Sequence, residues 1–327
     1  MITKKNSGLW RGIAILIVIA SHYAGSMYVE PVRPALKDAV SSLGPYGVDI
    51  FFLLSGYGLT KSANRSGVGL SFIVKRVMTI YVPYILMATG IELYTGGFDD
   101  IDLDGVIKLL TGYGYWYMNV LFMLYIAFMI AWQWRGKLRF FRIPTMLGAT
   151  VAIMSYLSNL GRADFWIISD AAFMIGIIAA AFDERLDGRK WRYILFVAMV
   201  AVGIYGFWLS MSNIAYLKLL YVEEIMGWQI AANVSLSIAI LALCYLTPDF
   251  GWVLPFIGKN SMYIYIMHMI LFWQLTFKFD MFNYFLSTAI VCVISILVSV
   301  AIGSLYGKIT DLIRISFRKK LKENKTA

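Results

Sequence analysis

Residues 11–22, RGIAILIVIASH, decide the fold, because they join a long apolar run to two ionisable side chains. Residues 13–20 carry no polar side chain. With its flanks, the run reaches about the 20 apolar residues that a helix needs to cross a bilayer core of about 30 Å. Arg11 and His22 are 11 residues apart, so at about 100° per residue they share one helix face, separated by a rise of about 16 Å. Arg11 is therefore predicted at one membrane boundary and His22 more than halfway across.

The composition of the whole chain indicates an integral membrane protein. Of its 327 residues, 60% are hydrophobic and only 15% are charged, whereas soluble domains are nearer to a quarter charged. The mean hydropathy is +0.71. The two cysteines, Cys244 and Cys292, both lie in apolar runs. They are too few for a disulfide framework and lack the spacing of metal ligands.

Ten segments are predicted to cross the membrane as helices. They are residues 9–29, 45–61, 72–92, 115–134, 144–160, 165–182, 192–211, 226–247, 260–277 and 284–306. The predicted fold class is therefore an all-α polytopic bundle of about ten transmembrane helices. We expect a single integral membrane domain over residues 1–327, with residues 307–327 as a basic cytoplasmic tail.

The distribution of Lys and Arg predicts the orientation of these spans. With the N-terminus inside, 23 of the 29 Lys and Arg residues fall on the inner side, and such an excess marks cytoplasmic loops. Both termini are therefore predicted to be cytoplasmic. Contact with anionic membrane lipids explains the net charge of +10, and no nucleic-acid partner is expected.

Ionisable side chains inside a span are costly, so they are candidates for function. The chain has only two histidines, and both are predicted at mid-membrane depth. His268 shares a helix face with Ser261 and Tyr265, because the three lie at offsets of seven and three residues. Two histidines without a third ligand do not make a zinc site. A general acid–base or proton-relay role fits them, and packing histidines bonded to neighbouring helices are the alternative.

Two carboxylates are also predicted inside spans, Asp49 near the outer end of the second and Asp170 in the outer half of the sixth. Either could orient a histidine, since carboxylates are common partners of that ring. The alternative for Asp170 is a purely structural hydrogen-bonding role, and the alternative for Asp49 is a position at the membrane interface near the lipid headgroups.

Cations and aromatic residues mark the two ends of the third and fourth spans. Lys75 and Arg76 enter the third span at the cytoplasmic edge, where they could bind a polyphosphate or only anchor the helix. Glycine patterns typical of phosphate loops do not accompany them. Trp116 and Tyr117 open the fourth span at the outer face, where an aromatic belt is also expected.

Four stretches together resemble membrane acyltransferase family 3, whose members are often sugar O-acetyltransferases. They are LWRGIAILIVIASH, GVDIFFLLSGY, WYMNVLFMLY and GKNSMYIYIMH. The first is similar to the family motif of an arginine, ten residues and a histidine, which Arg11 and His22 match. The second block carries over Asp49, Phe51, Phe52, Ser55 and Gly56. One position departs from the family: Thr79 stands where a second arginine usually follows Arg76, and Lys75 is a partial substitute.

The resemblance implies an acyl-CoA donor, most often acetyl-CoA, reaching the enzyme from the cytoplasm. It implies a hydroxyl of a saccharide or of a lipid-linked glycan as acceptor, and no tightly bound cofactor or metal. Arg11, Lys75 and Arg76 would then hold the donor, and Trp116, Tyr117, Ser261 and Tyr265 would contact substrate. We expect a multi-pass protein of the bacterial cytoplasmic membrane, without the extracytoplasmic domain of the larger members.

In this interpretation His22 is the general base, Asp49 orients it, and His268 serves the thioester or the acceptor. The main alternative is a proton-coupled transporter or flippase of a surface-polysaccharide precursor, since buried histidines and carboxylates also suit proton coupling.

Overall fold

The computed structural model describes residues 2–25, 34–96, 102–186, 191–221, 225–249, 251–276, 290, 292–306, 308–309 and 312. All regular secondary structure within these ranges is helical. The first helices are α1 (Lys4–Gly25), α2 (Pro34–Ser41), α3 (Gly44–Ser66), α4 (Leu70–Arg76), α5 (Val82–Thr95), α6 (Leu103–Thr111) and α7 (Trp116–Ala131). They are followed by α8 (Arg142–Asn159), α9 (Asp170–Leu186), α10 (Arg192–Leu219), α11 (Met226–Leu246), α12 (Val253–Lys259), α13 (Ser261–Thr276) and α14 (Cys292–Tyr306).

Seven segments are long and apolar enough to cross a membrane. They are Lys4–Ala24, Lys37–Ser66, Leu70–Thr95, Gly136–Asn159, Asp164–Asp183, Arg192–Leu219 and Met226–Leu246. The pair α6 and α7 would make an eighth, but its two halves are bent by 69°. These segments confirm a multi-pass helical membrane protein.

Each of the ten predicted spans overlaps one of these segments or one of the shorter helices α7, α13 and α14. The number of ten and the cytoplasmic position of both termini stay predictions, as does the single domain. Most of the predicted basic tail, residues 307–327, lies outside the described residues.

The sequence did not predict α2 and α6, which lie in loops expected on the outer side. The acidic loop before α6 supplies its N-cap, since Asp102 accepts a hydrogen bond from the backbone N–H of Gly105 at 2.8 Å.

Glycines bring the central helices into backbone contact. A Cβ on Gly56 of α3 would collide with the carbonyl oxygen of Phe173 in α9, and a Cβ on Gly176 of α9 would collide with that of Leu53 in α3. The same relation joins α1 to α12, where Gly258 faces the carbonyl of Gly8. Small residues allow this approach between membrane helices, whose association depends on close packing. The closely packed helices α1, α3 and α9 form the centre of the bundle.

A π-helical turn, Val77–Tyr81, joins α4 to α5 within the third predicted span. Thr79 lies in this turn, and its hydroxyl donates a hydrogen bond to the carbonyl of Lys75 at 2.7 Å. A π turn holds one more residue than an α turn. It therefore changes which faces of the span the residues before and after it occupy.

Candidate active site

The two histidines of the chain meet inside the bundle. His22 lies in the last turns of α1 and His268 lies midway along α13. Their ring nitrogens, Nδ1 of His22 and Nε2 of His268, are 2.7 Å apart. The rings are nearly parallel, with an interplanar angle of 6° and centroids 5.0 Å apart. The structure thus joins two predicted catalytic residues that are 246 positions apart in the chain.

The hydrogen bonds of His268 fix where the protons lie in this pair when both rings are neutral. Its Nδ1 is 2.6 Å from the carbonyl oxygen of Tyr265 and 3.2 Å from that of Ile264. A carbonyl only accepts, so Nδ1 of His268 carries the proton and Nε2 accepts. His22 therefore donates from Nδ1, and its own lone pair is on Nε2. The arrangement makes Nε2 of His22 the nitrogen able to accept a proton from a substrate.

A cavity of about 680 Å³ opens beside His22, between the ends of helices that are predicted to face outward. Its wall is mostly apolar. It also contains the aromatic residues Tyr46, Trp116 and Tyr265, the uncharged polar residues Ser21, Gln229 and Asn233, and the charged residues Asp164 and Lys218. Two of the residues predicted to contact substrate, Trp116 and Tyr265, thus line the same cavity as His22. Ser261 is buried at the start of α13 and is not among the residues lining this cavity.

The two predicted intramembrane carboxylates, Asp49 and Asp170, are both fully buried. Asn233 donates hydrogen bonds to Oδ1 of Asp49 at 3.2 Å and to the hydroxyl of Ser169 at 3.3 Å. Because Asn233 also lines the cavity, Asp49 is linked to it through this amide. The partner that the structure places at Nδ1 of His22 is His268 and not a carboxylate. The orienting role of Asp49 stays a prediction.

Arg11 and Arg76 both lie within electrostatic range of Tyr125 in the interior, and Arg11 lies within that range of Tyr117 as well. Ser55 is a neighbour of both tyrosine hydroxyls. Two of the three predicted donor-binding cations are thus brought together.

Lys75 is placed differently from the other two cations. Its side chain is exposed, whereas Arg76 is half-buried with its guanidinium 5.1 Å from the ring centroid of Phe72. Donor binding by Lys75 stays a prediction.

A row of aromatic rings connects the arginines with the histidines. The ring centroid of Tyr117 is 5.1 Å from that of Tyr265, and Tyr265 is 5.7 Å from His268. Tyr117 is 8% exposed, so it lies in the interior and not in a membrane-surface belt. Sequence reasoning missed Tyr125 and Asn233. Both lie in almost entirely apolar spans, so the sequence did not show which helix face points into the protein. The only available signal was the hydrogen-bonding amide of Asn233.

One family model matches the chain over residues 6–304, and its description is "Acyltransferase domain". Among curated proteins and among solved structures, none matches the chain.

Proposed function

The chain belongs to the acyltransferase family whose model it matches, and from this premise we propose that it transfers an acyl group from acyl-CoA to a hydroxyl. The proposed donor is acetyl-CoA, entering from the cytoplasm. The proposed acceptor is a saccharide or a lipid-linked glycan, and the proposed location is a bacterial cytoplasmic membrane. The protein is thus an acyltransferase with several membrane-spanning helices, and the proposal concerns its substrates and residues.

The observation that carries the proposal is the bonded pair His22 and His268. With its lone pair on Nε2, His22 takes the proton of the acceptor hydroxyl while that oxygen attacks the thioester carbonyl. A carbon–oxygen bond forms and the carbon–sulfur bond breaks. The thiolate of CoA leaves and takes up the proton that His22 had accepted, so the base is regenerated. A positioned base of this kind contributes about 10²–10⁴-fold to the rate.

The interior arginines support a donor with phosphate groups. Guanidinium groups bind phosphate through paired, charge-assisted hydrogen bonds. Arg11 is predicted near the cytoplasmic boundary, so the phosphates would be held there while the pantetheine arm runs toward the histidines. The aromatic row from Tyr117 to Tyr265 provides an apolar wall for that arm.

The cavity beside His22 supports a saccharide acceptor. Its volume of about 680 Å³ falls within the range of about 300–1,000 Å³ that is usual for ligand sites. Tyr46 and Trp116 offer ring faces to the apolar side of a sugar. Asn233 and Gln229 offer amide groups to its hydroxyls.

Single-turnover transfer of a labelled acetyl group by purified protein in detergent tests the proposal. His22→Gln keeps a hydrogen-bonding group but has no nitrogen that accepts a proton at neutral pH. We expect it to lower the transfer rate about 10²–10⁴-fold while acetyl-CoA still binds. The rates are normalised to folded protein. Activity in His22→Gln above about a tenth of that of the unsubstituted protein would contradict His22 as the base.

A further inference from the structure

A second cavity, of about 990 Å³, lies on the opposite side of the bundle from the histidine pair. It is formed where α3 ends, α8 begins and α9 ends, and these ends are predicted to face the cytoplasm. Four arginines line it: Arg135, Arg139, Arg142 and Arg185. Among the described residues of its wall none is acidic. Arg142 is half-buried and the other three arginines are exposed. The lining itself does not neutralise their charge, so the cavity attracts anions.

Two buried polar side chains of the same wall have no hydrogen-bond partner within the part of the chain that the structure describes. They are the hydroxyl of Thr60, a residue only 1% exposed, and the indole nitrogen of Trp132, a residue 6% exposed. Buried donors are normally satisfied, and leaving one without a partner is destabilising. Both groups can donate a hydrogen bond. The Thr60 hydroxyl and the Trp132 indole therefore add two hydrogen-bond donors to the four cations. This set of groups is suited to binding an oxyanion.

Arg142 is held in a defined position on this wall. Its Nε donates a hydrogen bond to the carbonyl oxygen of Trp134 at 2.8 Å, and its guanidinium is 5.5 Å from the ring centroid of Trp132. A guanidinium fixed in this way loses little conformational freedom when it binds a ligand. Arg142 is thus a preorganised group at the edge of the cavity.

A stack of aromatic rings separates this cavity from Arg76. Trp132 stacks on Phe128 with ring centroids 3.9 Å apart, and Phe128 faces Phe72 at 6.5 Å. Arg76 lies on Phe72. The four-arginine cavity is therefore a different place from the cluster of Arg11 and Arg76 around Tyr125.

We propose that the four-arginine cavity binds the phosphate groups of a ligand. Four guanidinium groups match the charge and the flat, two-oxygen faces of phosphate esters better than those of a single carboxylate. Phosphate groups reach this side of the bundle either on a soluble polyphosphate or on the headgroup of an anionic phospholipid, and both present the same oxygens. The proposal concerns binding and stands independently of the transfer reaction.

Binding to the purified full-length protein tests it, with one arm for each source of phosphate. In the first arm, calorimetry in a neutral detergent measures inorganic pyrophosphate and adenosine 3′,5′-bisphosphate. In the second, native mass spectrometry counts phosphatidylglycerol retained by protein taken from mixed phosphatidylglycerol and phosphatidylcholine nanodiscs. Binding in the first arm supports the site with a soluble ligand, and retention of phosphatidylglycerol alone supports it with a lipid.

Two variants and a matched control place the binding in this cavity. Arg139→Gln combined with Arg142→Gln removes two cations, and we expect at least tenfold weaker binding in the arm that shows it. Thr60→Val removes the buried hydroxyl at constant shape and should weaken the same binding by about threefold to tenfold. Lys5→Gln removes one exposed cation predicted on the same membrane face that does not line the cavity, and should leave binding unchanged.

Absence of binding in both arms would overturn the proposal. Equal affinity in the double arginine variant and in the Lys5→Gln control would overturn it as well. Thermal stability of each variant without ligand shows whether it is folded. Should the double variant fail to fold, Thr60→Val alone decides, and unchanged binding in it overturns the proposal.

Discussion

The spans Asp164–Asp183 and Arg192–Leu219 have almost the same mean hydropathy, 2.0 and 2.1, but they occupy opposite environments. Inside the protein, 67% of the most apolar window of the first is buried, against 17% for the second. The first contains α9, which contacts α3 backbone to backbone. The second is α10, and it exposes large side chains such as Tyr205 and Trp208 along its length.

Hydropathy therefore identifies a membrane span but does not indicate whether the span faces protein or lipid. Polar side chains within the span indicate which of the two it faces. The α9 span holds Asp183, which accepts a hydrogen bond from the Tyr57 hydroxyl at 2.6 Å and lies 3.2 Å from the ammonium of Lys61. A carboxylate in a lipid-facing position would have no such partners, and its cost would be several kcal/mol. Buried ionisable residues therefore mark inner helices, and among the described helices these include α1, α3, α9 and α13.

The largest effect is expected from a single methyl group at the contact of α3 and α9. Gly176→Ala would drive a Cβ into the backbone around Leu53, which cannot move as a side chain can. We expect a loss of about 3 kcal/mol or more in the free energy of unfolding, at the upper end for overpacking. Thermal unfolding in detergent, monitored by tryptophan fluorescence, measures it.

Gly148→Ala is the matched control on α8, where a Cβ would meet no atom within 4 Å. Alanine there removes a helix-interior glycine, so stability should stay equal or rise by about 0.5–1 kcal/mol. Equal losses at both positions would contradict the contrast between a glycine in a helix contact and a glycine facing open space.

The next effect concerns the histidine pair. His268→Leu removes the acceptor for Nδ1 of His22, and we expect transfer to fall about 10²-fold, the lower end for a positioned base. His268→Gln places an amide oxygen near the lost Nε2, where it can accept the same hydrogen bond. We expect the transfer rate of His268→Gln to be about tenfold higher than that of His268→Leu. The comparison uses single-turnover rates, with acetyl-CoA affinity measured alongside.

This pair of variants separates two roles for His268. Recovery in His268→Gln, with donor affinity constant, means that His268 positions His22. Equal inactivity of the glutamine and leucine variants would mean that His268 itself transfers a proton, since neither replacement can do so.

A smaller effect is expected for the cations of α4. Arg76→Gln should weaken acetyl-CoA binding by about tenfold, the value of one charge-assisted contact to phosphate. Lys75→Gln removes a neighbouring but exposed charge, and we expect less than about a twofold change because surface charges are screened. Calorimetry on both proteins decides between them. Similar losses would support the sequence-based assignment of Lys75 to the donor site.

The smallest effect is expected on α10. Trp208 is 60% exposed, so Trp208→Leu exchanges one lipid-facing apolar side chain for another. Single-turnover transfer should stay within about twofold and thermal stability within about 0.5 kcal/mol. A loss beyond those limits would show that α10 has a protein partner on this face.

The sequence predicts the helical membrane class and most span positions, because the bilayer requires long apolar helices whatever their neighbours are. It also predicts His22, His268, Arg11 and Arg76 as candidates, because ionisable residues are rare in such helices. The pairing of His22 with His268 could not be predicted, since no helical period relates residues on different spans.

The partner of Asp49 shows the same limit of sequence reasoning. The sequence suggested a histidine, and the structure places Asn233 of α11 beside its carboxylate. Lys75 and Arg76 are neighbours in the chain, yet only Arg76 is half-buried. The π turn that follows them adds a residue that periodicity does not anticipate.

The 2.7 Å contact between His22 and His268 also sets an order of events during synthesis. The two residues are 246 positions apart, so ribosomes working at about 5–20 residues per second take roughly 12–50 s to make the second after the first. During that interval α1 is already in the membrane without the ring that holds its histidine. A truncated or half-inserted chain therefore lacks the bonded pair. Under the proposed mechanism such a chain does not consume donor, because its base is not held in place until α13 has entered the bundle.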